Sequence, residues 1–270
     1  MKIGVRAHDY GRREIAQMAE VLEREGYQSV QLALPKAFSS IQSYEYIAEK
    51  ELYEIAEEFG KRGIEIAVLG CYMDLGNPDV SVREAAVRTF RRCLGFSKSI
   101  GARLTGSETA YSHLTKLEKQ RWFPFMMDSL KRLTEEAERL NTWMGIEPVA
   151  WHPLDSADTA AEVIRDLKSD HVKIIFDPVN VLERPGEVLQ EAYWRRCFKE
   201  LGPYIETIHL KDFTVGENGK YCPKLLGEGV MDFGVLKEWM KGHPDIPVLR
   251  EEMDPETAGR DIAFMKRLYR

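Results

Sequence analysis

The chain has 270 residues, a 44% hydrophobic share, a net charge of −6 and a pI near 5.7. That length holds one large α/β barrel or two ordinary domains. The 44 acidic against 38 basic residues exclude general nucleic-acid binding, which needs a basic footprint. No apolar run approaches a membrane span, and the opening MKIGVRAH reads as a strand rather than an export signal. Cys71, Cys93, Cys197 and Cys222 are widely spaced and form no CxxC pair. Reduced thiols in a cytoplasmic protein are therefore the expectation. Cys71, at a strand end, could line a site but reads as a small buried apolar residue.

Strand-like and helix-like segments alternate from end to end. Strands are expected at 2–8, 29–34, 64–72, 102–108, 143–149, 172–178, 205–212 and 246–252. Helices are expected at about 11–25, 43–62, 82–100, 114–140, 156–168, 186–201 and 233–241, with ETAGRDIAFMKRLYR closing the chain and a loop before the helix at 233. The strands are continuous β-branched apolar runs, as two-sided burial requires. The helices carry apolar residues three and four apart, such as Ile15, Met18, Val21 and Leu22. Gly26, Gly63 and Gly101 fall just past helix ends, and Ser81 and Asp254-Pro255 precede helices as start signals. No linker, charge block or repeat divides residues 1–270. Eight β/α units predict a single (β/α)8 TIM barrel over the whole chain. A doubly wound sheet would want a Gly-rich turn after the first strand, and AHDYGRRE has no GxGxxG.

In such a barrel the active groups sit at the C-terminal strand ends. Four consecutive strands end there in carboxylates or imidazole: Glu147 in GIEPV, Asp177 in FDPVN, His209 in HLKD, and Glu251 or Glu252 in REEM. Three carboxylates and one imidazole suit Mn2+, with Mg2+ or Co2+ next and Zn2+ less suited. Side chains alternate along a strand, so Glu251 and Glu252 cannot both face the axis. Glu252 is favoured, because an inward Glu251 would force Arg250 into the helix layer.

These segments, with the LGEG turn at 226–229 and the final acidic strand, resemble the xylose isomerase-like barrel superfamily. It includes sugar-phosphate isomerases and epimerases, tagatose and psicose 3-epimerases, inosose dehydratases and endonuclease IV. The resemblance covers nearly the whole chain. It implies that Glu147, Asp177, His209 and Glu252 bind one divalent metal, and that Glu147 and Glu252 are the acid/base pair. Members often carry Glu directly before Met, which again points to Glu252. The implied reaction is isomerisation or epimerisation of a ketose or its phosphate through a metal-stabilised cis-enediolate. An inosose dehydratase-like lyase is the nearest alternative, though no acid beside the leaving hydroxyl is identifiable. An endonuclease IV-like phosphodiesterase and a non-catalytic sugar-binding barrel stand further off. Barrels of this kind often form dimers or tetramers.

Substrate contacts are expected from Lys211, in phase with His209, and from Glu108, His152 and His8 at the ends of strands 4, 5 and 1. Asn180 is a further candidate, standing where several epimerase relatives carry His. Trp151 and Tyr72 are candidates for an apolar wall. The glycines of LGEGVMDFG could present backbone N–H groups to a phosphate or merely shape the loop.

Overall fold

The computed structural model describes residues 2–183, 189–217 and 221–269. Its strands are β1 (Ile3–Arg6), β2 (Ser29–Leu32), β3 (Glu65–Gly70), β4 (Leu104–Ser107), β5 (Met144–Ile146), β6 (Val172–Phe176), β7 (Ile205–Leu210), β8 (Asp212–Val215), β9 (Tyr221–Lys224) and β10 (Val248–Arg250). Its helices are α1 (Ile15–Glu25), α2 (Leu34–Ala37), α3 (Glu49–Gly60), α4 (Val80–Ile100), α5 (Lys116–Leu140), α6 (Ala157–Leu167), α7 (Gln190–Leu201), α8 (Gly234–Gly242) and α9 (Ala258–Leu268). Part of the helix expected at 186–201 lies outside the described residues; the remainder is α7.

Eight parallel strands close in the order β1-β10-β7-β6-β5-β4-β3-β2. Closure excludes the doubly wound sheet and gives the (β/α)8 barrel. The helices form because each has an apolar stripe to bury against the barrel; in α1, Ile15, Met18, Ala19 and Leu22 face inward. Gly26 and Gly101 end α1 and α4 as expected. The start of α4 is set by Asp79 rather than Ser81, since the Asp79 carboxylate accepts from the backbone N–H groups of Ser81 and Val82. No disulfide joins the cysteines, and Cys71 is fully buried in the core, as expected. Among the described residues no helix is long and apolar enough to cross a membrane.

The hydrogen-bonded ladders are shorter than the apolar runs that announce them. Strand β5 spans Met144–Ile146 rather than 143–149, and β10 spans Val248–Arg250 rather than 246–252. At the mouth each chain leaves the ladder to begin its loop, so Glu147, Asp177 and Glu251 are the first residues past β5, β6 and β10. Inside the barrel Val68, Leu104, Ile175 and Leu249 pack together. Gly106 leaves room for them, because a Cβ there would collide with Ile175 and Val68.

Phase follows from that core. Counting by two from the interior residues leads to Tyr72, Glu108, Asp177 and Glu251 just past the ends of β3, β4, β6 and β10. Arg250 therefore points outward, contrary to the sequence-based expectation. It is 2% exposed and reaches α9, where its Nε donates to Asp261 Oδ2 at 2.7 Å. Its other nitrogens donate to the carbonyls of Leu210, Glu251 and Lys224. A guanidinium is tolerated in the helix layer because these partners satisfy it.

Between β7 and α8 the expected loop contains an antiparallel hairpin, β8 with β9. Asp212 opens it and is 1% exposed. Its carboxylate accepts from the N–H groups of Phe213, Gly227, Gly229 and Met231 at 2.8–3.1 Å. The N–H groups of the LGEG turn that were candidates for a phosphate are thus committed to Asp212. Gly229 is required by this approach, since a Cβ would overlap Asp212 Oδ1 and the Phe213 carbonyl. We expect Gly229→Ala to cost about 2–3 kcal/mol, from overpacking plus strained hydrogen bonds. Urea unfolding checks this; an unchanged midpoint would show that the turn relaxes freely.

Candidate functional site

The inward phase gathers side chains from around the barrel at one mouth. A cavity of about 970 Å³ opens there, lined among others by Arg6, His8, Gln31, Lys36, Tyr72 and Glu108 on one side. Tyr111, Trp151, His152, Asn180, Lys211 and Glu251 complete much of the remainder.

Directly beneath lie Glu147, Asp177 and His209, with 1% exposure or less. Each offers one ligand atom, and these atoms are all within 4.8 Å of one another. Asp177 is aimed by its own loop. Its Oδ1 accepts from Val179 N at 2.8 Å and Asn180 N at 3.1 Å, the Asx-turn of the Asp-Pro-Val-Asn sequence, and this turns Oδ2 into the site. Glu147 Oε1 accepts from Asn180 Nδ2 at 2.7 Å and Oε2 from the Tyr72 hydroxyl at 3.3 Å. His209 Nδ1 lies 3.1 Å from Glu251 Oε1 and 3.4 Å from Glu147 Oε2.

Glu251, not Glu252, is the third carboxylate beside His209. It is 5% exposed, and its Oε2 is 3.0 Å from Lys211 Nζ and 3.7 Å from Arg6 Nη1. Glu252, with φ +55°, lines the cavity at its exposed rim and accepts from the Tyr221 hydroxyl at 2.6 Å. The sequence argument failed because it assigned no partner to an outward Arg250; Asp261, eleven residues downstream on α9, is that partner.

Lys211 is buried in the site, not paired at the surface beside Asp212. Its ammonium lies 3.0 Å from Asp177 Oδ2 and donates to Asn180 Oδ1 at 2.9 Å. Asn180 therefore couples Lys211 to Glu147 through the two ends of one amide. Glu108 faces the cavity 3.6 Å from His152 Nδ1, and His8 faces it from the turn after β1. Tyr72, expected as an apolar wall, instead acts through its hydroxyl, which also accepts from Gln31 Nε2 at 3.0 Å. The sequence reading missed Arg6 and Gln31. Their signal was phase: Arg6 precedes His8 by two on β1, and Gln31 lies two before Ala33 on the cavity wall.

The electrostatics are those of carboxylates and cations sharing a dry space. Burial alone would lower the His209 pKa, yet the Glu251 and Glu147 carboxylates raise it to about 9. Burial opposes the Lys211 charge, but Asp177, Glu251 and Glu147 hold its pKa well above the usual value. Burial would raise Glu251, and His209, Lys211 and Arg6 outweigh it, placing the carboxyl far below its ordinary range. Asp177 is raised, chiefly by burial. Burial, then Glu147 and Glu251, push Glu108 up to about 8.

His152 is 4% exposed, and burial lowers its pKa to about 4. The unfolded state, titrating near 6.5, binds the proton first as pH falls. Stability linked to neutral His152 is thus full above about pH 6.5 and is lost as pH falls toward 4, by at most about 3 kcal/mol. His152→Gln should flatten the urea-midpoint profile over that window; an unaltered slope would assign the acid sensitivity to other groups.

The donor set fits a divalent cation. Neither ring nitrogen of His209 has a hydrogen-bond partner of proper geometry, nor does Asp177 Oδ2, although all three atoms are buried. Buried polar atoms left in that state are costly unless a ligand completes them. Oxygen-rich sites with one imidazole favour Mn2+ or Mg2+ and admit Zn2+.

The sequence model of the xylose isomerase-like TIM barrel family matches residues 19–268. No curated protein matches the chain significantly. Among solved structures, 3-keto-D-glucoside 4-epimerase YcjR from E. coli, in apo form, is 15% identical with a TM-score of 0.77, over 99% of each chain. D-psicose 3-epimerase, solved in the presence of D-fructose, is 16% identical with a TM-score of 0.77, over 100% of this chain and 99% of its own. The IolI protein with a bound zinc atom is 17% identical with a TM-score of 0.77, over 100% and 98%. At such identities the structural likeness establishes the fold.

Proposed function

The chain belongs to the xylose isomerase-like TIM barrel family, and on that premise we propose that it is a divalent-metal-dependent sugar isomerase or epimerase acting on a ketose or ketose phosphate. One observation carries the reading: Glu147, Asp177 and His209 converge within 4.8 Å beneath the cavity, and the buried His209 Nε2 has no hydrogen-bond partner. Glu147, Asp177, His209 and Glu251 would hold one cation, with Mn2+ the metal we expect. Relatives solved with zinc and with D-fructose support a metal and a ketose. When bound, the cation supplies Lewis acidity that lowers the pKa of the C–H beside the substrate carbonyl.

The protein's own groups supply the proton transfers. Glu147 and Glu251, 3.4 and 3.1 Å from His209 Nδ1, serve as the two bases. One removes the proton beside the carbonyl. Returning a proton from the other to the opposite face of the planar enediolate inverts that carbon. If the proton is instead taken from C1 of the ketose, returning one to C2 while the C1 oxygen becomes the carbonyl gives the aldose. Asn180 and Tyr72 fix the Glu147 carboxylate by donating to its two oxygens. The Lys211 ammonium stands where it can steady an oxyanion.

A second reading has support in Glu108. Burial, then Glu147 and Glu251, push the Glu108 carboxyl up to about 8, and it stands in the cavity, where a dehydratase needs an acid to expel hydroxide as water.

The test is metal content of the purified protein, followed by a ketose panel with added Mn2+. We expect about one divalent ion per chain and turnover that Glu147→Gln lowers about 10²–10⁴-fold with the fold intact. Normal turnover by Glu147→Gln would remove the mechanism. Loss of water from the substrate, abolished by Glu108→Gln, would select the lyase.

A further inference from the structure

We propose that the substrate carries a second sugar ring, seated on an aromatic platform at the outer part of the cavity; this rests on the ketose reading above. The first observation is size. A ketohexose occupies roughly 180 Å³, about six waters at ~30 Å³ each, whereas the cavity encloses about 970 Å³. Pockets that hold compact ligands bury most of the ligand surface, so a single ring over the carboxylates leaves most of this volume unused.

The second observation is what lines the remainder. The loops after β4 and β5 bring Tyr111, His113 and Trp151 to the cavity wall. Trp151 and His113 stack, with ring centroids 5.4 Å apart and planes within 4° of parallel. Tyr111 is 61% exposed, yet its hydroxyl is fixed by donation to the Tyr72 carbonyl at 2.7 Å.

The platform is held rigidly. Leu114 N donates to the Trp151 carbonyl at 3.0 Å, tying the two loops. From α5, Lys119 Nζ donates to the Ala150 carbonyl at 3.0 Å and pairs with Asp155 at 2.8 Å. Large aromatic surfaces facing solvent are costly unless something covers them. These are preorganised, so covering them forfeits little side-chain entropy. The C–H face of a pyranose is the apolar surface that an outer face of this stack accepts, and its hydroxyl edge remains free for His152 and Glu108 beside it.

With the ketose carbonyl placed over Glu147 and Glu251, the second ring is attached through the end of the ketose remote from that carbonyl. Lys36 and His8, on the opposite wall, define the competing occupant, an anionic phosphate in the outer volume.

The experiment is calorimetric titration of the Mn2+-reconstituted protein with D-fructose, with palatinose (fructose bearing glucose on its terminal oxygen) and with D-fructose 6-phosphate. We expect palatinose to bind at least tenfold more tightly than fructose. That ratio should fall below threefold in Trp151→Ala and recover in Trp151→Phe. Equal or tighter binding of fructose overturns the second ring while leaving the ketose reaction intact. A preference for the 6-phosphate overturns it in favour of an anion. A ratio that survives Trp151→Ala overturns the platform. Binding of none of the three, together with no ketose turnover, removes the reaction class as well.

Discussion

Glu251→Gln is expected to abolish metal retention and lower turnover by about 10³-fold, whereas Glu252→Gln keeps both within about threefold. The two residues are adjacent, chemically identical and opposite in phase. Glu251 follows the inward Leu249 by two and sits 3.1 Å from His209 and 3.0 Å from Lys211. Glu252 sits at the rim, exposed, with the Tyr221 hydroxyl as its hydrogen-bond donor. Removing the Glu251 charge leaves His209, Lys211 and Arg6 without the carboxylate they share, so both the cation site and the second base are lost. Metal analysis and turnover of the two variants, with circular dichroism as a control for folding, decide the matter. Equal losses in both, or a larger loss in Glu252→Gln, would reverse the assignment.

The second large effect lies outside the cavity. Asp261→Ala strands the Arg250 guanidinium, 2% exposed, without its carboxylate partner at 2.7 Å. Breaking one side of a buried ion pair costs about 3–5 kcal/mol, which at ~2–4 °C per kcal/mol in a domain this large lowers Tm by roughly 6–20 °C. The double variant Arg250→Met with Asp261→Ala should regain most of that loss, because an apolar side chain suits the helix layer without a partner. Urea unfolding of the two variants measures the difference. A cost below about 1 kcal/mol for Asp261→Ala would mean that the carbonyls of Leu210, Glu251 and Lys224 suffice for Arg250. The pair also bears on the site, since an outward Arg250 is the counterpart of an inward Glu251.

The stability and the chemistry of the last strand are therefore one question of phase. Along Leu249-Arg250-Glu251-Glu252 local sequence offers two readings. Pairing a buried arginine with a partner eleven residues later requires the position of α9, and no rule of local spacing supplies it. The same limit explains Asp212. HLKD reads as a strand end, but only the returning LGEG turn shows that this carboxylate gathers four backbone N–H groups and takes them from any phosphate. The hairpin of β8 and β9 escaped notice because DFTV and YCPK are four-residue segments, one half polar and the other containing proline, too short to show a strand pattern.

The amino-acid order by itself determined the eight β/α units, the closed barrel they imply, and the convergence of Glu147, Asp177 and His209 at one mouth. Those features follow from apolar periodicity and from the rule that parallel strands end at a common face, and both are local or topological. Tertiary structure alone decided which of two neighbouring glutamates enters the site, that Lys211 is buried among its carboxylates, that Arg6 and Gln31 belong with them, and that Tyr72 acts there through its hydroxyl. Each of those outcomes depends on the energy of burying a charge, and that energy is set by partners from distant strands and helices.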